Sequence, residues 1–389
     1  MGAHKGRPPL ALYLVALLIP IVLHIVAFTV MGDASYDKWL QNMHRSSSSP
    51  DVQPWDYNSK KEYSYYHRKK EGRRTQEGNS NGTAPSSSPS VIVVAQDGSG
   101  DFLTVQEAVD SIPDSNENRV TISIKAGIYR EKIVVKTSWI TFQGDGPSLT
   151  EIRWNDTAST EGPDGEALST FGSASVAIDG DYFTARDISF RNTAPPPPGG
   201  AEGQQAVALR ISGDFGAFYN VYFYGAQDTL YDHQGRHYFS GCMIEGSIDF
   251  IFGNGRSFYI DCRLHSIANP TGGSITAQKR SDTSEDTGFS FVECVVTGSG
   301  SIYLGRAWGP ASRVVYSFTY FDDIIRPEGW YDWGDSSRQE TVFYAEYNCT
   351  GPGANRDGRV SWSRELTAQE AEPFLTTGFI NGELWLAST

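Results

Sequence analysis

The feature that most restricts how this chain can fold is a recurring unit. It consists of an aromatic, two or so polar or small residues, a small apolar residue or cysteine, then another apolar residue. The copies read "FTARDISF", "FYNVYF", "YFSGCMI", "FYIDCRL" and "FSFVECVV". Aligned on Ile188, Val221, Cys242, Cys262 and Cys294, they are separated by 33, 21, 20 and 32 residues. The shorter steps match one coil of a solenoid and the longer ones a coil plus an inserted loop. From Val91 onward, strand-like runs such as "VTISIKAGIY" and "KIVVKTSWITFQG" alternate with Gly and Asn turns. No long segment of 3.6 period interrupts them, which excludes a doubly wound α/β fold. In a sandwich, turns would recur every 8–12 residues or so, with stricter alternation. The expected architecture over residues 91–389 is therefore all-β, a parallel β-helix in which equivalent positions of successive coils form ladders about 4.8 Å apart.

That register brings two acids together. Asp228 lies seven residues past Val221 and Asp249 seven past Cys242, so both occupy one place on neighbouring coils. At about 5 Å and an effective dielectric of about 20, two carboxylates repel by roughly 3 kcal/mol, about two pK units. One should keep its proton where the other is ionised. A solvated acidic ladder or a calcium site is the competing reading. However, "IDFIFGN" surrounds Asp249 with Ile248, Phe250, Ile251 and Phe252, a poor setting for the six or so oxygens that calcium takes.

Further polar groups fall nearby. Gln227 adjoins Asp228, and Gln205 precedes Gln227 by 22 residues, about one coil. Arg306 follows Cys294 by 12 residues and is placed to keep one acid charged. Two acids, two amides and a guanidinium can serve as nucleophile or base, general acid, oxyanion donors and orienting cation. Tyr231, Phe250, Trp308, Trp330 and Trp333 follow these motifs closely and are candidates for the apolar faces of sugar rings, with core packing the default for Tyr231. The sequence lacks GxSxG, HExxH, GxGxxG and P-loop patterns. His233 and His237 stand at i, i+4, but the glycine between them indicates a turn instead of the helix on which that spacing binds metal. No metal or other cofactor is expected.

The chain before residue 91 is different in kind. After Lys5 and Arg7, the 22 residues from Leu10 to Met31 carry no formal charge, long enough to cross a bilayer. Residues 1–31 read as a signal peptide or a retained signal anchor. Residues 32–90, with "SSSSP", "HRKKEGRR" and "NGTAPSSSPS", read as a flexible stem. This places the protein in the secretory pathway, extracellular, with any membrane contact made through residues 10–31. Residues 1–90 carry 11 Lys and Arg against 7 Asp and Glu, and the remainder 21 against 39. So acidic a body argues against a nucleic-acid partner and repels a heavily ionised polyacid, but not an esterified one. Asn81, Asn155 and Asn348 begin glycosylation sequons. The four cysteines fit no metal spacing and allow up to two bridges, with pairing left open.

"GIYREK", "QAVALR", "GAQDTLY", "GSIDFIFGN" and "YLGRAWG" occur in the order found in plant pectin methylesterases, which the chain resembles over essentially all of Val91–Thr389. The resemblance implies a right-handed parallel β-helix, with Asp249 as nucleophile, Asp228 as general acid then base, Gln205 and Gln227 as oxyanion donors, and Arg306 orienting Asp249. Trp308 and Thr170 would contact polysaccharide. The implied reaction hydrolyses galacturonate methyl esters of pectin, in a monomer open to a proteinaceous inhibitor. The 90 leading residues lack the helical inhibitor-like region of many relatives and match the subclass without it. Ala307 replaces the usual proline of "LGRPW", and Val221 stands where many relatives have a cysteine facing Cys242. A Cys262–Cys294 bridge is implied by resemblance alone. A polygalacturonase or calcium-dependent pectate lyase, or an inactive tethered pectin binder, remains the rival reading.

Overall fold

A computed structural model describes residues 90–197 and 201–389. The expected signal segment, stem and Asn81 sequon lie outside the described residues. Among those described, no helix is long and apolar enough to cross a membrane.

The chain winds as a parallel β-helix. Among the described residues, seventeen strands form one continuous sheet that covers two faces, and eight short strands form the third. The repeat read from sequence is the true register. Val221 pairs with Ile188, and the pairs Tyr222–Met243, Met243–Arg263 and Arg263–Val295 place Val221, Cys242, Cys262 and Cys294 on one ladder. Immediately before each ladder residue the backbone turns through left-handed φ, at Asp187 (53°), Asn220 (52°), Gly241 (62°), Asp261 (54°) and Glu293 (53°). Asn, Asp and Gly tolerate that conformation best, which explains the small polar residues inside the repeat.

Inside the coil the aromatics stack. Phe218, Phe239, Tyr259, Phe291 and Tyr316 form a column with successive centroids 4.4–4.7 Å apart. The next coil replaces an aromatic with Glu346, buried and paired with Arg356 (2.7 Å) and Arg359 (2.9 Å). At the opposite end the short helix Val105–Asp110 covers the first coils, and Glu131 of "GIYREK" accepts hydrogen bonds from the backbone N–H groups of Val105 and Gln106, both 3.0 Å. This motif closes the fold and takes no part in the cleft.

The four cysteines are free thiols, so the Cys262–Cys294 bridge implied by resemblance is absent. The stacked thiols point to main-chain acceptors instead: Cys262 Sγ donates to Phe239 O (3.6 Å) and Cys294 Sγ to Tyr259 O (3.7 Å).

Candidate active site

The eight-stranded face carries the site. Its strands run in chain order through Leu209–Ile211, Leu230–Asp232, Ile251–Gly253, Gly273–Gln278 and Ile302–Arg306 to Trp330–Tyr331. Gln227 bridges Ile248, and Leu230 pairs with Ile251. Asp228 and Asp249 are thereby direct neighbours on adjacent coils, each at left-handed φ (64° and 50°) just before its strand. Both are nearly buried, 9% and 5% exposed, and both line one cleft.

Their surroundings make them unequal. Arg306 donates through Nε to Asp249 Oδ1 (2.9 Å) and through Nη2 to Oδ2, a bidentate clamp. Ser274, next on the same ladder, donates its hydroxyl to Oδ1 and accepts from the Asp249 N–H (3.1 Å). These donors fix the orientation of the Asp249 side chain. Asp228 has no such clamp. Burial, then the neighbouring Asp249, push its carboxyl well above the ordinary carboxylate range, with Arg306 opposing weakly. For Arg306 itself burial acts downward, but the hydrogen bond to Asp249 and the two nearby acids leave its pKa raised.

The cleft, about 410 Å³, is lined by Gln205, Gln227, Asp228, Asp249 and Arg306, with Thr170, Tyr231, Trp308 and Trp333 around them. Gln205 Oε1 is buried without a hydrogen-bond partner. Trp333 lies under the Arg306 guanidinium, 4.3 Å from carbon to ring centroid. Ala307, standing where many relatives have proline, uses the N–H that a proline lacks to donate to Tyr331 O (2.9 Å). Arg338 also binds the carbonyls of Ala307 and Trp308. The segment carrying Arg306 is thus fixed by hydrogen bonds in place of a ring.

Two aromatics expected at the cleft belong to the core. Phe250 is fully buried, because the left-handed turn at Asp249 interrupts alternation and leaves both Phe250 and Ile251 inward. Trp330 is 1% exposed and stacks on Tyr344 at 4.3 Å. It pairs with Gly305, where a Cβ would clash with the Thr276 hydroxyl and come within 3.1 Å of the indole, so the glycine of "YLGRAWG" makes room for both. Sequence reading missed other cleft residues. Phe252 stacks on Tyr231 at 4.2 Å, Phe171 covers the Arg210 guanidinium at 3.7 Å, and Lys279 sits 4.4 Å above Trp308. The 21-residue coil step that relates Asp228 to Asp249 also relates Tyr231 to Phe252 and could have found it. Ser274 was hidden by the longer loop before it, which makes the step from Asp249 25 residues instead of about 20.

Neither histidine of "DHQGRH" is placed for a metal. His233 Nδ1 lies 3.0 Å from Ser212 Oγ, and His237 is sealed in the core.

Fold and cleft together define a β-helix enzyme of the carboxylic ester hydrolase class. The chain belongs to the pectinesterase family, whose model matches residues 91–383. It is 52% identical over 300 residues to pectinesterase QRT1 of Arabidopsis thaliana, covering 76% of this chain and 78% of that one. It is 44% identical to Arabidopsis pectinesterase 31, covering 75% and 93%. Among solved structures, the pectin methylesterase from carrot superposes with a TM-score of 0.71 at 38% identity, covering 80% and 97%. A pectin methylesterase in complex with a hexasaccharide superposes at 0.65 with 25% identity, covering 75% and 96%. Membership carries the activity, hydrolysis of pectin methyl esters, and disfavours depolymerising or inactive alternatives.

Proposed function

We propose that de-esterification runs through Asp249 as nucleophile. The observation that carries this reading is the asymmetry of the acid pair: Arg306 and Ser274 clamp Asp249 with hydrogen bonds, while burial and Asp249 push the Asp228 carboxyl well above the ordinary carboxylate range. A carboxylate oxygen of Asp249 attacks the ester carbonyl carbon. Gln205 and Gln227 offer side-chain N–H donors to the oxyanion that develops. As the tetrahedral intermediate collapses, Asp228 gives its proton to the departing methoxy oxygen and methanol leaves. Asp228, now a carboxylate, takes a proton from water, whose oxygen attacks the acyl carbon; Asp249 departs and free galacturonate remains.

Tyr231, Trp308 and Thr170 position the polysaccharide along the cleft. The substrate lies in the cell wall, outside the cell, and residues 1–31 serve export there, with residues 32–90 as the stem of the catalytic body. The test is methanol release from methylated pectin by the purified protein in EDTA, with viscosity followed in parallel. Methanol without loss of chain length is expected. Depolymerisation without methanol would overturn the reading.

A further inference from the structure

Arg306 ends its strand, and the chain beyond it turns at once, with the Trp308 N–H donating to Arg306 O (3.0 Å). One side chain takes both carbonyls of that turn: Arg338 Nη1 donates to Ala307 O and to Trp308 O (3.0 Å). Arg338 stands on a short helical turn, Ser336–Glu340, which Asp335 caps by accepting from the Ser337 N–H (3.1 Å). The same carboxylate receives Arg338 Nε at 3.3 Å. The Arg338 side chain is 20% exposed and does not line the cleft. Between the two arginines lie Trp330–Tyr331, paired with Gly305 and Arg306, and Trp333, whose ring is 4.3 Å from the Arg306 guanidinium. Trp333 holds a left-handed φ of 63°, and Asp332 braces the bend by accepting from the Gly334 N–H (2.9 Å) and Gln339 Nε2 (2.7 Å). Residues 330–341 thus start beside the Arg306 backbone, pass under its guanidinium and return to the carbonyls just beyond it.

We propose that Arg338 is a positioning residue for the reaction: it closes this loop around Arg306 and so sets the guanidinium that clamps Asp249. The inference rests on the reading of Asp249 as nucleophile and adds to it a residue that does not meet substrate. A guanidinium offers two carbonyls a charged donor, a stronger tie than a neutral one. The turn it ties has no proline ring at Ala307 to restrict it. The clamp depends on this tie, because a bidentate pair tolerates little rotation of either partner. Without Arg338, the turn after Arg306 and the ring of Trp333 are free to shift, and Asp249 spends less time aimed at the ester carbon. Trp308 keeps anchors of its own, with Lys279 4.4 Å above its ring and the next N–H, that of Gly309, on Gln278 O (3.0 Å). The cleft wall therefore persists, and the cost falls on kcat instead of KM.

The experiment measures kcat and KM for methanol release from a methyl-esterified oligogalacturonide. Arg338→Met removes the donors and keeps the apolar stem. Misplacement by about 1 Å far from the chemistry can cost about 10²-fold, so kcat per folded molecule should fall about tenfold, with KM changed by less than about twofold. Arg338→Lys, one ammonium facing the same carbonyls, should recover part of kcat. A cycle with Arg306→Ala separates positioning from general destabilisation: on that background Arg338→Met should cost nothing further in kcat. If Arg338→Met does not fold, Asp335→Asn, which weakens the aim of the guanidinium but leaves it in place, should lower kcat by a smaller factor at unchanged KM. Full kcat in the folded variant, or the same fold loss with and without Arg306, overturns the role of Arg338 alone. Undiminished kcat in Arg306→Ala overturns the reading of the Asp249–Arg306 clamp and this inference with it.

Discussion

Asp228 and Asp232 stand four residues apart in "GAQDTLYDHQG", and their fates differ completely. Asp228 faces the cleft beside Asp249. Asp232, fully buried, points into the coil, where His237 Nδ1 lies 2.5 Å from Oδ1 and the Tyr259 hydroxyl donates to Oδ2 (2.6 Å). The other nitrogen of His237, Nε2, faces Gly213 O at 2.9 Å. Burial lowers the His237 pKa, but Asp232 and the Gly213 carbonyl reverse this and leave it raised. Both clusters hold an acid against a cation-forming partner, yet only one opens onto the cleft. A polar constellation is chemically useful where one side of it is open, and structural where every donor already has its acceptor.

The comparison breaks first at Asp249. Asp249→Ala should lower methanol release by at least about 10³-fold while circular dichroism still shows the β-helix. Asp232→Ala should do the reverse. Removing one partner of a buried pair costs about 3–5 kcal/mol, measurable by denaturant unfolding, while the molecules that remain folded keep their methanol release. Equal loss of activity per folded molecule in both variants would erase the distinction.

Ser274→Ala tests the support of the nucleophile. Loss of one hydrogen bond to a charged group, about 1.5–3 kcal/mol, should lower kcat about tenfold or more with KM little changed, and Ser274→Thr should restore it. No recovery of kcat in Ser274→Thr would reduce Ser274 to a packing residue.

The smallest effect concerns stability against pH. The Asp228 carboxyl titrates higher in the folded protein than in the unfolded chain. The unfolded state therefore loses its proton first, and stability falls as pH rises from the ordinary carboxylate range through the folded-state value. Asp228→Asn abolishes this dependence, so its unfolding midpoint relative to the wild type should climb with pH. A constant difference would show that Asp228 is not held protonated. His237 acts in a higher window: its raised pKa supports the fold below the ordinary histidine value, and that support is lost as pH rises through the folded value.

Much of this could be read in the chain itself. The ladder from Ile188 to Cys294 has the register that the repeat indicated, because each coil must present the same apolar and left-handed-turn positions to its neighbours. One coil therefore fixes where Asp249 lies relative to Asp228. Loops of unequal length carry no such constraint, and there the reading failed. Ser274 and Arg338 enter the molecule's chemistry through loops whose lengths set no register. Phe250 and Trp330 were assigned outward because aromatic identity is the same on either side of a strand.

By itself, then, the sequence determined the coil and the pairing of the two acids, since these depend on spacing along a regular repeat, and the resemblance of its motifs supplied the family chemistry. The tertiary structure alone decided which way each side chain faces, that the thiols stay unbridged, and that Arg338 reaches the two carbonyls just beyond Arg306. Those outcomes depend on the local turn at each corner and on contacts between loops distant in the chain, which periodicity does not encode.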